Sequence, residues 1–200
     1  MVNMKKNELD AYLLKEGLRR PDLEIIKEGK TGHGILIEND GFMYLKNSKE
    51  NQMIREGIEN GEWNIPHPFV VDAVFQKFGI KNANGRIYPE EVLKKQVEIY
   101  QQKIDERRAL GELNHPAEST IDLDRIAINI IELHWEGRTL VGKLEINTSY
   151  GFRKYGLVST RGDQMANLLL NGYKIGVSSR GVGSVEQKLG QDIVGDDFEL

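Results

Sequence analysis

The sequence predicts a mainly β fold of the α+β class, an antiparallel barrel or sandwich with helices around it. Three observations carry that expectation. Leu140, Gly142, Leu144 and Ile146 repeat at a period of two, and Ile126, Ile128 and Ile130 do the same upstream, which is the alternation of strands. Phe69 to Ile80 is rich in β-branched and aromatic residues, the composition of a buried strand. Beyond residue 66, only the stretches opening near Pro89 and Thr160 show helical spacing.

Taken in order, residues 8–28 read as a charged helical stretch broken at Arg20-Pro21. Ile35-Leu36-Ile37 and Phe42 to Leu45 flank Glu38-Asn39-Asp40-Gly41, a hairpin signal with Asp-Gly at its turn. Ser48 is placed to cap a short helix that ends near Gly57 or Gly61. Pro66-His67-Pro68 punctuates the chain, so residues 1–66 are expected to be an N-terminal appendage and residues 67–200 the main domain. Asn82-Ala83-Asn84-Gly85 is a turn. Pro89, Glu90 and Glu91 open a helix whose Leu93, Val97, Tyr100 and Ile104 share one face. In the next strand the apolar phase shifts from Ile130 to Ile131, Leu133 and Trp135, which predicts a bulge or a strand buried on both faces. Glu136-Gly137-Arg138 turns into the following strand. Thr160 is placed to cap a second helix with Met165, Leu168 and Leu169, closed by Asn171-Gly172, and Tyr173 to Leu200 reads as short strands joined by glycine-rich turns.

Composition narrows the chemistry. The net charge of −4 has both signs interspersed, so no basic patch points to nucleic acid. No apolar run approaches the roughly 18 residues a membrane helix needs, and Met1 to Asn7 lacks the apolar core of a secretory signal. An intracellular location is expected. Cysteine is absent and histidine occurs four times, at His33, His67, His115 and His134. Disulfides and thiol nucleophiles are excluded, and a multi-histidine metal site is poorly supplied. Covalent catalysis would fall to Ser, Thr, Lys or a carboxylate.

Two segments depart from ordinary scaffolding. In Ala109 to Pro116, glycine and proline bracket a polar cluster around His115. Glu112-x-x-His115 looks like half of a metal site, but Pro116 disfavours helix at His115. In Gly176-Val177-Ser178-Ser179-Arg180-Gly181-Val182-Gly183-Ser184, flanking glycines suit a sharp turn. A serine on such a turn is an exposed hydroxyl, consecutive N–H groups after it suit an oxyanion hole, and Arg180 adds positive charge. A plain tight turn between strands is equally open on this segment alone.

Asn84-Gly85-Arg86-Ile87-Tyr88-Pro89, Gly111 to Pro116, and Gly176 to Gly181 together, in this order and spacing, resemble the prohead core proteases of large tailed phages. The likeness covers roughly residues 69–200. The resemblance implies the herpesvirus maturation protease fold, a β-barrel surrounded by helices. It implies a serine endopeptidase with His115 as general base and Ser178 as nucleophile, with the backbone of Ser179 to Gly181 and Arg180 as oxyanion-hole or supporting candidates. No cofactor or metal is implied. The implied substrates are scaffold proteins and the major capsid precursor, inside a prohead in the host cytoplasm, and the enzyme is a candidate homo-oligomer. The third triad member is expected downstream of the serine, beyond Leu200, with Asp192, Asp196, Asp197 and Glu112 as in-chain candidates.

Two other readings stay open: a catalytically inert assembly protein that keeps the protease fold, and a metal-dependent hydrolase using Glu112 and His115. Relatives of this kind favour cleavage after glutamate with an aliphatic residue two positions earlier. Leu14-Lys15-Glu16-Gly17, Ile26-Lys27-Glu28-Gly29 and Ile54-Arg55-Glu56-Gly57 fit that pattern, where well under one match is expected at average usage. Residues 1 to about 57 are therefore a candidate removable segment, although Glu-Gly is also a natural helix ending.

Overall fold

The computed structural model describes residues 23–60, 68–114, 121–149 and 160–200. Eight strands make one sheet: β1 (Gly32–Tyr44), β2 (Phe69–Lys77), β3 (Arg86–Ile87), β4 (Leu110–Glu112), β5 (Ile126–Glu136), β6 (Thr139–Ile146), β7 (Ile175–Lys188) and β8 (Gln191–Val194). Their spatial order is β3-β8-β7-β1-β2-β6-β5-β4. Every pairing is antiparallel except β3 with β8. Among the described residues, three α-helices pack around it: α1 (Lys49–Glu59), α2 (Glu90–Asp105) and α3 (Thr160–Leu170). The mainly β architecture with surrounding helices is as expected. The sheet curls into a half-barrel. Among the described residues, no helix is long and apolar enough to cross a membrane.

Alternation places the core. Phe69, Val71 and Ala73 of β2 face Ile146, Leu144 and Gly142 of β6 in register. Their apolar side joins Met43, Met165 and Leu169 in one buried cluster. Leu36, Tyr88, Leu93, Val185 and Phe198 form a second. Burying a side chain such as Leu169 is worth roughly 1.5–3 kcal/mol. Exposed pairs such as Lys94–Glu90 and Lys143–Glu132 are worth about 0–1 kcal/mol each. The apolar clusters, not the surface charges, hold the fold.

Local signals were reliable where the chain stays local. The Asn51 amide donates to Ser48 Oγ at 3.1 Å, so Ser48 caps α1 as expected. On α2, Leu93, Val97 and Ile104 are buried. The phase shift in β5 is a bulge, because Ile130 pairs with Leu144 while Glu132 pairs with Lys143. Gly142 lies beside it, where an added Cβ would stand 1.9 Å from the Glu132 carbonyl oxygen.

Three expectations give way. The Asp40-Gly41 hairpin is instead one continuous strand, β1, with an irregularity between Glu38 and Gly41; pairing with β7 along its length outweighs the local turn preference. The main domain does not start at residue 67, since β1 lies between β7 and β2 inside the sheet. Residues 23–28, expected to be helical, are not: Ile25 is bridged to Ile35 and Glu28 opens a turn; the rest of that stretch, with Arg20-Pro21, lies outside the described residues, as do Pro66 and His67.

Candidate active site

Ser178 lies within the long strand β7, not on a turn. The glycines that signalled a turn serve another purpose. A Cβ at Gly181 would come within 2.4 Å of the Phe198 ring, and one at Gly183 within 2.8 Å of the Phe198 Cα. They let the final segment cross β7 closely, where Val182 and Glu199 exchange backbone hydrogen bonds of 2.8 and 2.7 Å. Consecutive N–H groups of an extended strand point to opposite edges. The amides of Ser179 to Gly181 therefore do not converge on one oxygen as they would in a turn.

The pairing of β7 with β1 is irregular at the serine. Ser179 pairs with Glu38 and Val177 with Gly41, so Asn39 and Asp40 together oppose Ser178. By strand alternation Ser178 and Arg180 share one face of β7, and Ser179 lies on the other.

Arg180 Nη2 donates to Glu112 Oε2 at 3.2 Å, and the Glu112 side chain is 6% exposed. In a flat sheet β4 and β7 would be five strand spacings apart, about 24 Å. An ion pair between them requires the curl, which brings the end of β4 over the Ser178 face. Glu112 Oε1 also accepts from the Asp122 amide at 2.7 Å, and the Leu113 amide donates to the Arg125 carbonyl at 2.8 Å. These bonds join the two ends of the segment that contains His115. Asn114 has φ +73°, a left-handed conformation that Asn tolerates better than most residues. His115 itself lies outside the described residues. With a guanidinium against its carboxylate, Glu112 is poorly suited to bind a metal cation, which weakens the metal-hydrolase reading.

The carboxylates considered as a third triad member separate clearly. Asp192 pairs with Gln187, nine residues along β7 from Ser178, and Asp196 is exposed. Asp197 Oδ1 accepts from the Ser184 hydroxyl at 2.6 Å and amide at 2.9 Å, and its Oδ2 lies 3.0 Å from His33 Nδ1. Ser184 is six residues from Ser178, about 20 Å along a strand. Only Glu112 approaches the strand face that carries the serine. His134 is exposed between Glu132 and Glu136, a surface residue.

Asp197 instead fastens the final segment. Burial raises its carboxyl, but the Ser184 hydrogen bonds and His33 outweigh this and leave it below the ordinary value. A lowered carboxyl stabilises the fold above its unfolded value, near pH 4, and loses that contribution as pH falls through the folded value. The melting temperature of Asp197→Ala is expected to lie below wild type at pH 6, with the gap narrowing as pH falls below about 4. A constant gap across that range would refute the assignment.

The conspicuous polar cluster escaped the sequence reading. Glu38, 1% exposed, accepts at Oε1 from Arg86 Nε (2.7 Å) and Tyr88 OH (2.8 Å), and at Oε2 from Asn82 Nδ2 (2.6 Å) and Asn84 Nδ2 (2.7 Å). Burial first, then the Glu38 charge, raises the Tyr88 hydroxyl well above its usual value. Removing one partner of a buried pair such as Glu38–Arg86 costs about 3–5 kcal/mol, several times any exposed pair. The available signal was the period-two step from Leu36 to Glu38 within an apolar run, which Asp40-Gly41 masked.

A half-barrel whose curl brings the Asn-His-Pro segment's base to a serine-bearing strand defines a class of protein. The chain belongs to the prohead core protein serine protease family, whose model matches residues 36–200. It is 33% identical over 133 residues to the prohead core protein protease of Enterobacteria phage T4, covering 65% of this chain and 58% of that protein. The chain thus spans less than two thirds of that relative's length. It also matches the structure of the bacteriophage T4 capsid assembly protease gp21, with TM-score 0.61 and 25% identity over 83% of this chain and 92% of the other.

Proposed function

We propose that this protein is a serine endopeptidase of capsid maturation, acting inside the prohead in the host cytoplasm on scaffold proteins and the capsid precursor. The observation that carries the proposal is the family match across residues 36–200, which spans both the His115 and the Ser178 motifs. Ser178 Oγ attacks the scissile carbonyl, and His115 takes its proton and returns it to the leaving amine. Arg180 and Glu112 brace the serine-bearing strand against the base of the histidine segment.

Self-processing is part of the proposal, and the three candidate sites differ physically. Glu28-Gly29 is an exposed turn shortly before β1, so cleavage there leaves all eight strands in the chain and gives up the Ile25 bridge to Ile35 and the Ile26 contacts. Glu56-Gly57 lies within α1, and release of everything before it would remove β1 from the middle of the sheet. Glu16 lies outside the described residues. Glu28 is the favoured site, because a protease reaches an exposed turn without unfolding the core.

Wild type and Ser178→Ala should be incubated separately with the cognate scaffold, and all new N-termini sequenced. Scaffold fragments and a new end at Gly29, in the wild type alone, are expected. Intact scaffold beside an enzyme active on peptides would refute the substrate assignment. An intact N-terminus on that active enzyme would refute self-processing, and no activity at all would leave the inert assembly protein.

A further inference from the structure

We infer that Glu38 is a positioning residue for Ser178, acting through the β1 irregularity that opposes the serine; the inference rests on the catalytic reading above. The loop from Asn82 to Tyr88 grips β1 on both sides of Asn39. Asn84 Nδ2 donates to the Ile37 carbonyl at 2.7 Å, four side chains from the loop donate to the Glu38 carboxylate, and the Ala83 amide donates to Asp40 Oδ1 at 3.0 Å. Arg86 is itself held by the Ile26 carbonyl at 2.8 Å.

The core does not require a charge at this position. Leu36 precedes Glu38 on β1 and Met43 follows it, each buried in one of the two apolar clusters. An apolar residue at 38 would continue that surface, and buried ion pairs are often no more stabilising than apolar replacements. What the network supplies is location. A bulge leaves one residue without a cross-strand partner, and a slip of one residue turns every later side chain to the opposite face. With Ile37, Glu38 and Asp40 each fixed from the loop, the extra residue stays opposite Ser178, and the serine keeps one orientation. Misplacing a reacting group by about 1 Å costs about a hundredfold in rate.

The test compares wild type with Glu38→Gln, with the paired replacement Glu38→Met and Arg86→Met, and with Asp40→Ala. The paired variant removes the buried charges together; because the Tyr88, Asn82 and Asn84 donors lose the carboxylate, it should melt below wild type yet remain folded at the assay temperature. Its kcat should fall about a hundredfold at a KM within about twofold, as should its rate of fluorophosphonate labelling at Ser178. Asp40→Ala, which deletes only the Ala83 contact, should lose about tenfold. Amide exchange across residues 176–181 should quicken in each variant that folds. Wild-type kcat, labelling and exchange in a folded variant would overturn the inference. A wild-type protein that takes no label at Ser178 would instead remove the catalytic reading, and the exchange data would still decide whether Glu38 orders the strand.

Discussion

Ser178→Ala is expected to abolish peptide cleavage, while Ser179→Ala retains measurable turnover. The chain contains no cysteine, so no thiol can substitute for the missing hydroxyl. The two adjacent serines are not equivalent, because alternation along β7 turns them to opposite faces. Ser178 shares its face with Arg180, which pairs with Glu112 next to the histidine segment. Ser179 stands opposite Glu38, on the side of the buried polar network. A fluorogenic peptide assay measures the loss, and a serine-directed probe followed by peptide mapping locates the nucleophile. Label on Ser179 would reverse the assignment.

His115→Ala should lower kcat by roughly 10⁴–10⁶-fold, and adding Ser178→Ala should lower it little further. Members of a catalytic unit lose their effects together, because a serine without its base is already a poor nucleophile. Multiplicative losses from the two changes would place the residues in separate steps. His134→Ala serves as the comparison: exposed between two glutamates, it should leave turnover at the wild-type level. A loss there comparable to that of His115→Ala would point to a general loss of folding instead.

Helices, strand periods and one bulge were legible in the sequence because each is written in neighbouring residues. Ser48 caps the helix that follows it, and the Ile130–Ile131 phase change marks the β5 bulge. The serine and histidine motifs were legible through a family resemblance, since spacing alone left them as a turn and a loop. What neighbouring residues cannot encode is which distant strand supplies the stronger set of hydrogen bonds. Asp40-Gly41 prefers a turn locally, yet strand pairing on both sides of β1 makes it a bulge in an unbroken strand. Gly181 and Gly183 likewise suit a turn until Phe198, distant along the chain's path, needs the space above them. Glu38 gains its role only when residues 82–88 fold back to surround it, and Glu112 meets Arg180 only because the sheet curls through five strand spacings. The sequence alone determined the elements and the chemistry available; tertiary pairing decided which charges are buried and which face the serine presents, because those depend on partners dozens of residues away.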